Sequence, residues 1–359
     1  MNSFLREVGW LALLSPAISA GLVLTLIAPA RRLGLVDHPG GRKAHEQLTP
    51  LVGGLAIFLA FLITNALAGI IPGNSFSLMA ALVLTMAIGV ADDAHEIGHR
   101  SKFFAQIAAA LIIVSGTEVH MTHFGDLFGF GDIHLGKWTV LVTVVSIIGM
   151  MNAINMIDGV DGLAGSVVLP PLLVYAALAA SHGDGQVAFE ILVLAGATAG
   201  FLFFNLRAPW RKHALVFMGD TGSLLLGLLL AWYSIKLAGN AMSEISPILA
   251  VWLLGVPLID MGSVMLLRIS QHKSPFHADR QHMHHVLLDA GYSAEQVVAI
   301  MAASSLAFGL LGLLAHEARV SESVLFYVFI LFWCSHFLAL RWPRKAMQWA
   351  SRLIRPQVK

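Results

Sequence analysis

Apolar runs of about 17–21 residues recur from one end of the chain to the other, separated by polar connections rich in Asp, Asn, His and Gly. At about 1.5 Å of rise per residue, a helix of that length crosses the hydrocarbon core of a bilayer. Eleven such segments can be drawn, at about 10–30, 51–71, 75–91, 102–117, 138–154, 164–181, 187–204, 222–238, 247–267, 296–315 and 323–340. The fourth is short and ends near Glu118, and the fifth runs straight into a polar motif. No internal repeat and no break in composition divides the chain. The pattern therefore predicts an all-α fold, a polytopic transmembrane helical bundle of about 11 spans, formed as one domain over residues 1–359. The first apolar run is too long for the core of a signal peptide, and Arg6 beside it is offset by Glu7, so a cleaved leader is not expected.

Charge gives the bundle a direction. Of the 22 Lys and Arg, 18 lie in the C-terminal tail and one alternating set of loops, at about 31–50, 91–102, 152–163, 205–223 and 268–295. The other four are Arg6, Lys137, Lys236 and Arg319. By the positive-inside bias the first set is cytoplasmic, which puts the N-terminus outside and the C-terminus in the cytoplasm, as in a multi-pass protein of a bacterial inner membrane. The tail, with Trp342 and Trp349 among its basic residues, reads either as a segment held by anionic lipid or as ordinary topology-setting charge. The one long outer connection, 116–137, alternates polar and apolar residues and predicts a small hairpin. Only 12% of the residues are charged, against about 25% in soluble proteins, so a water-facing surface cannot be built from them. A net charge of +1 gives no footing for nucleic acid, and a single cysteine, Cys334, excludes a disulfide framework.

The cytoplasmic loops hold the candidate chemistry in five groups. Adjacent carboxylates at Asp92 and Asp93 repel, which fits a bound divalent cation, a phosphate-proton acceptor, or simply a solvated pair at a helix end. Asn152, Asn155, Asp158 and Asp161 recur every third residue, a spacing that drifts by about 60° per step and keeps the four off a single helical face. The two Asn then end the fifth span, and Gly159 and Gly162 turn the chain so that both Asp enter a pocket. Asn205 leads to Phe217-Met218-Gly219-Asp220-Thr221-Gly222-Ser223, where a helix start offers backbone N–H groups to phosphate and Asp220 suits Mg²⁺; an N-cap by Asp220 or Thr221 is the plainer alternative. His277, His282, His284 and His285 stand with Arg280, a set better suited to an anion than to zinc. Last, Asp37 to Gly54 forms a basic, Gly-rich loop in which Lys43 and His45 either cap a phosphate or only add inner-face charge. Asp260, inside the ninth segment after Pro257, either supports the site or serves backbone freed by the proline. Asn65 and His336 read as hydrogen-bonding residues between helices. Carboxylates for a hard cation, with basic and His residues for anions at one membrane face, specify phosphoryl chemistry between a cytosolic phosphorylated donor and a lipid phosphate acceptor.

Taken in order, Asp92-Asp93, Asn152-x-x-Asn155-x-x-Asp158-Gly-x-Asp161-Gly-Leu, Phe217-Met-Gly-Asp220-x-Gly-Ser223 and His282-x-His284-His285 resemble the signatures of the polyprenyl-phosphate N-acetylhexosamine-1-phosphate transferases, most clearly over residues 31–290. Asp279-Arg280-Gln281-His282-x-His284-His285 is similar to the branch named after WecA; the branch acting on UDP-MurNAc-pentapeptide has three consecutive histidines where this chain has Met283. The resemblance implies transfer of GlcNAc-1-phosphate from UDP-GlcNAc to undecaprenyl phosphate, giving undecaprenyl-diphospho-GlcNAc and UMP. Such a reaction starts a lipid-linked surface glycan such as O-antigen. It implies Mg²⁺, with Mn²⁺ as the alternative ion, and is compatible with a homodimer. It also implies that Asp220 holds the metal and that Phe217, Asp161 and Gly159 hold uracil. Asn152, Asn155 and Asn205 would position diphosphate or acceptor, and Lys43, His45, Arg280, His282, His284 and His285 would bind sugar and phosphates. Asp92 or Asp93 would bind or deprotonate the acceptor, with Asp158 and Asp161 completing the catalytic carboxylates. Rivals are the same reaction with UDP-GalNAc, UDP-FucNAc, UDP-QuiNAc or UDP-MurNAc-pentapeptide, a membrane transporter, and a zinc hydrolase. A transporter predicts charges near the midplane and repeat halves, and a hydrolase predicts zinc without Mg²⁺ dependence.

A phosphate monoester has a second pKa of about 6, so the acceptor is largely dianionic at neutral pH. Charge shielding and in-line positioning should then outweigh base catalysis. If Asp93 acts as a base, Asp93→Asn costs most activity at acidic pH; a loss that is flat with pH marks a metal or positioning role.

Overall fold

The protein is described here by a computed structural model covering residues 3–37, 48–208, 210–239, 245–275 and 280–342. α1 (Ser3–Val8) passes through one 3₁₀ turn into α2 (Ser15–Leu33). Two-residue strands β1 (Val36–Asp37) and β2 (Thr49–Pro50) then pair antiparallel. There follow α3 (Gly53–Leu67), α4 (Phe76–His95), α5 (His99–Gly116), α6 (Thr139–Ile157), α7 (Leu163–Ser181), α8 (Gly185–Asn205) and α9 (Gly219–Ala238). The last elements are α10 (Pro247–Leu253), α11 (Gly255–Ser270), the short α12 (Met283–Asp289), α13 (Ala294–Glu317) and α14 (Glu322–Arg341).

Each of the eleven apolar segments is helical. Among the described residues, eight helices are long and apolar enough to cross a membrane, nine if α10 and α11 are counted as one span. The chain is thus a polytopic helical membrane protein. α3 has 15 residues, short of the roughly 20 that a perpendicular span requires. α5 opens on His99-Arg100-Ser101-Lys102 and is not among the eight. The ninth segment is not the single span drawn from the sequence: α10 and α11 meet at 81°. Pro257 lies in the first turn of α11, where helix N–H groups have no intrahelical acceptor anyway, so the chain begins a new helix around it rather than bending an old one.

α9 is the axis of the bundle. Within its apolar window 94% of the residues are buried, against 17% for α14, so α14 lies at the periphery. In lipid, helices gain little from merely hiding apolar surface, and close backbone contact through small residues takes over. The packing around α9 shows this: a Cβ added at Gly54 would come within 2.2 Å of Gly222 N, at Gly89 within 2.4 Å of Thr221 Cα, and at Gly227 within 2.5 Å of Met151 Cα. At the end of the bundle remote from the Asp and Asn motifs, the buried Glu190 of α8 accepts hydrogen bonds from Gly73 N (3.0 Å), Tyr233 Oη (3.1 Å) and Gln186 Nε2 (2.9 Å). The long connection at 116–137 forms the expected hairpin in reduced form, as one antiparallel bridge between His123 and His134. Asn65 does not link helices as expected; its Nδ2 donates to Phe61 O in the same helix.

Gly54→Ala is expected to lower the thermal unfolding midpoint of the detergent-purified protein, because backbone cannot yield as a side-chain tip can and overpacking of this kind costs about 1–3 kcal/mol. Gly21→Ala, where an added Cβ meets nothing within 4 Å, is the control and should leave the midpoint close to that of the parent.

Candidate active site

The motif residues converge where α4 and α6 end and α5 and α9 begin. The start of α9 is held by backbone before any side chain acts. Phe217 N donates to Pro50 O (2.9 Å), Gly53 N to Phe217 O (2.9 Å) and Gly54 N to Met218 O (3.0 Å), so the chain before α9 lies along the start of α3 like a paired strand. Gly219 then turns with φ of 71°, a left-handed conformation for which glycine is suited.

Asp93 takes the position that the sequence suggested for a phosphate. Its Oδ1 accepts Asp220 N (2.8 Å), and its Oδ2 accepts Thr221 N (3.2 Å) and Thr221 Oγ1 (2.7 Å). Those are the N–H groups that the first turn of α9 would otherwise present to a ligand, so the phosphate cradle expected at Gly219-Ser223 is filled from within. A carboxylate there meets both the open donors and the positive end of the helix. With three donors upon it, Asp93 is placed to hold α9 rather than to remove a proton.

Asp92 and Asp220 face a cation. Lys102 Nζ, at the start of α5, donates to Asp92 Oδ2 (2.9 Å) and also bonds to Asp220 Oδ2. Asp220 Oδ1 accepts Asn155 Nδ2 (3.0 Å), which also meets Ser223 Oγ at 2.9 Å. Asp158 follows α6, and among the described residues no donor meets its carboxylate. Burial first, then the charges of Asp220, Asp93 and Asp161, push its pKa up to about 8. Asp161 Oδ2 accepts Arg207 Nε (2.8 Å) and, at 3.4 Å, Ala214 N. Five carboxylates thus share two cationic side chains, Lys102 and Arg207, among the described residues.

That surplus suits a divalent ion. Among the described residues no three His, Cys, Asp or Glu side chains are grouped as a metal cage. Mg²⁺ does not need one, since it is usually bound through one or two carboxylates plus substrate phosphates and keeps several waters. The Lys102 ammonium between Asp92 and Asp220 shows that positive charge is stabilised there, and all-oxygen donors match a hard cation.

Several residues that the sequence offers as substrate contacts form hydrogen bonds within the protein. Asn152 Nδ2 donates to Gln106 Oε1 (2.7 Å) and Ile148 O (2.8 Å), which ties α6 to α5. Asn205 is buried; its Oδ1 accepts Gly162 N (2.7 Å) and its Nδ2 donates to Val216 O (2.8 Å), so it fixes the turn after Asp161. His282 is buried, 5% exposed. Its Nδ1 meets Asp260 Oδ2 at 2.7 Å and its Nε2 lies 3.4 Å from Arg268 Nη2. Arg280 faces solvent and, among the described residues, pairs with the exposed Asp289 at 3.6 Å. His284 does reach the site: a Cβ at Gly159 would lie 2.3 Å from its Nε2. Burial, with the neighbouring His285 next in effect, holds the His284 pKa down at about 3, and burial also lowers that of His285. Both rings are therefore neutral at physiological pH. Phe217 is half-buried beside the anchored strand. Lys43 and His45 lie outside the described residues. Lys102, Arg207 and Thr221 were not singled out as site residues; Lys102 is a basic residue entering an apolar helix, which was the available signal.

Residues 75–238, from the N-cap of α4 to the last residue of α9, match the family model described as glycosyl transferase family 4. Several curated relatives carry the name undecaprenyl-phosphate alpha-N-acetylglucosaminyl 1-phosphate transferase. The protein from Yersinia pestis is 30% identical over 307 residues, covering 84% of this chain and 83% of its own length. The Haemophilus influenzae protein is 29% identical over 339 residues, 94% of this chain and 96% of that one. The protein from Escherichia coli K12 is 29% identical over 304 residues, 84% and 82% respectively.

Two outcomes are expected from this geometry. Asp93→Asn should reduce turnover by a factor that stays flat between pH 6 and pH 9, since the residue holds α9; a pH–rate profile of the variant checks it. Asp158 binds its proton more tightly in the folded chain than in the unfolded one, so it costs stability as pH rises from about 4 through 8. Asp158→Asn should accordingly raise the metal-free unfolding midpoint more at pH 8 than at pH 5, as read by thermal unfolding in detergent.

Proposed function

The chain belongs to glycosyl transferase family 4, and from that membership we propose that it transfers GlcNAc-1-phosphate from UDP-GlcNAc to undecaprenyl phosphate, releasing UMP. The observation that carries this reading is the coincidence of the family match with the carboxylate cluster: residues 75–238 contain Asp92, Asp93, Asp158, Asp161, Asp220 and Lys102. The relatives' shared name supports the acceptor and the transferred N-acetylglucosaminyl 1-phosphate group. The distribution of basic residues, 18 of 22 on this side, supports a site facing the cytoplasm of a bacterial inner membrane. The product would start a lipid-linked surface glycan such as O-antigen.

In the reaction an oxygen of the acceptor phosphate attacks the sugar-bearing phosphorus of the donor. The bond from that phosphorus to the bridging oxygen breaks, and UMP leaves with its electron pair. No proton has to be removed from a dianionic acceptor; two anions have to be brought together. Mg²⁺, held by Asp220 with Asp92 beside it, would shield the diphosphate and stabilise charge on the leaving oxygen. Lys102 adds a positive charge at the same point, and Arg207 orients Asp161. Asn155 fixes the Asp220 carboxylate, and the short Gly159 lets His284, a neutral hydrogen-bonding ring, approach the turn.

Purified protein with undecaprenyl phosphate, Mg²⁺ and a panel of UDP-sugars should release UMP with UDP-GlcNAc and stop when EDTA is added. No UMP from any donor would sink the transferase reading, and UMP from another UDP-N-acetylhexosamine alone would reassign the sugar. Mg²⁺ should also raise the unfolding midpoint, more at pH 8 than at pH 5, because an ion that binds the folded state needs deprotonated carboxylates.

A further inference from the structure

Asp260 is a carboxylate in the middle of an apolar helix, 2% exposed, where a charge is costly unless it is well paired. Its pairing identifies its task. Serving backbone freed by Pro257 is excluded by chemistry: the group a proline frees is a carbonyl, here Leu253 O, and an ionised carboxylate can only accept. Its bonds go instead to the loop that follows α11. Oδ2 accepts His282 Nδ1 at 2.7 Å, and Oδ1 accepts the backbone N–H of Met283 at 2.9 Å. His336 of α14 brings its Nε2 to 3.6 Å of the same Oδ1.

Those two bonds fix the beginning of α12. At seven residues this helix is too short to form reliably alone, and His282 at its N-cap supplies no side-chain cap of its own. The carboxylate of a different helix does so. It also sets the proton: because Asp260 accepts at Nδ1, His282 Nε2 is left as an acceptor facing Arg268 Nη2 at 3.4 Å. The His282 ring, locked on both nitrogens, is the platform for the next one. His284 lies on it nearly parallel, with centroids 5.7 Å apart and planes at 9°. From that platform His284 reaches Gly159, between Asp158 and Val160, and no larger residue at 159 would leave room for the ring.

We propose that Asp260 is a positioning residue for the transfer reaction, acting through His282 and the start of α12 to place His284 against the Asp158–Asp161 turn. The proposal rests on the transferase reading above. Groups that orient a metal-ligating histidine contribute about 10–100-fold to activity, and an orienting contact on His284 is expected to act on that scale.

The test is steady-state UMP release by the purified full chain with UDP-GlcNAc, undecaprenyl phosphate and Mg²⁺. Asp260→Asn keeps the volume and an oxygen for Met283 N, but turns a donor toward His282 and forces the wrong tautomer. It should lower kcat/KM for UDP-GlcNAc about 10–100-fold, with KM for undecaprenyl phosphate within about twofold of the parent, since the acceptor's own contacts are untouched. In a His284→Ala background the same substitution should cost less than about twofold, because residues acting in series are not additive. His282→Gln, which retains a donor for Asp260, should keep more activity than His282→Leu. Both of these variants leave Asp260 itself in place, so the test does not hang on one variant folding. Parental kinetics in Asp260→Asn, an equal factor in both backgrounds, or equal loss in His282→Gln and His282→Leu would each overturn the proposal. A parent chain that releases no UMP from any donor would instead overturn the transferase reading.

Discussion

Three donors from the first turn of α9 meet on one carboxylate of α4, and most of the site depends on that junction. The open N–H groups of a helix end must be satisfied somewhere. Asp93 satisfies them and is in turn relieved of part of the cost of its own burial. Because α9 is the most enclosed helix, whatever caps it is fixed in place. Asp220, next in line, inherits that fixity and presents its carboxylate to Lys102 and Asn155. The adjacent acids at 92 and 93 therefore divide their work by environment: one is turned into the helix end and the other toward the cation.

The bundle as a whole was legible from apolar segment length alone, since a chain with so few charges has few other ways to satisfy its backbone. Length could not reveal the break between α10 and α11, because a proline in a first turn and a proline at a kink look alike in one dimension. The same limit applies to the polar residues. Spacing sets Asn152 at an apolar helix end, where it has to face something polar, and Asn205 and His282 are buried with polar partners as well. It could not distinguish a substrate from Gln106, Gly162 or Asp260 as that polar partner. Lys102 was hidden for a related reason: a lysine at a helix start reads as topology until its carboxylates are seen beside it. The Gly-Asp-Thr-Gly-Ser start of α9 reads in one dimension as a cradle for phosphate, whereas its Asp220 and Thr221 donors go to the carboxylate of Asp93.

The site has two sides of different make-up. On one, carboxylates, Lys102 and Arg207 form a charged set, in which burial and the charges of Asp220, Asp93 and Asp161 raise the pKa of Asp158. On the other, His282, His284 and His285 contribute a stack in which burial keeps the His284 and His285 rings neutral. A neutral ring beside an anionic turn can offer a hydrogen bond without adding to the ion balance, so the two sides can be tuned separately. Gly159 is the point where they touch.

The close approaches of Gly54 to Gly222 and of Gly89 to Thr221 join α3, α4 and α9 into what amounts to a single casting. The acids borne by α4 and α9 must then travel together, and freedom to shift is left to the loosely enclosed α14 and the elbow ahead of α11. For extraction from the bilayer this makes the choice of detergent an asymmetric one. A harsh amphiphile reaches the outer helices first, while the casting at the centre keeps its own helices together.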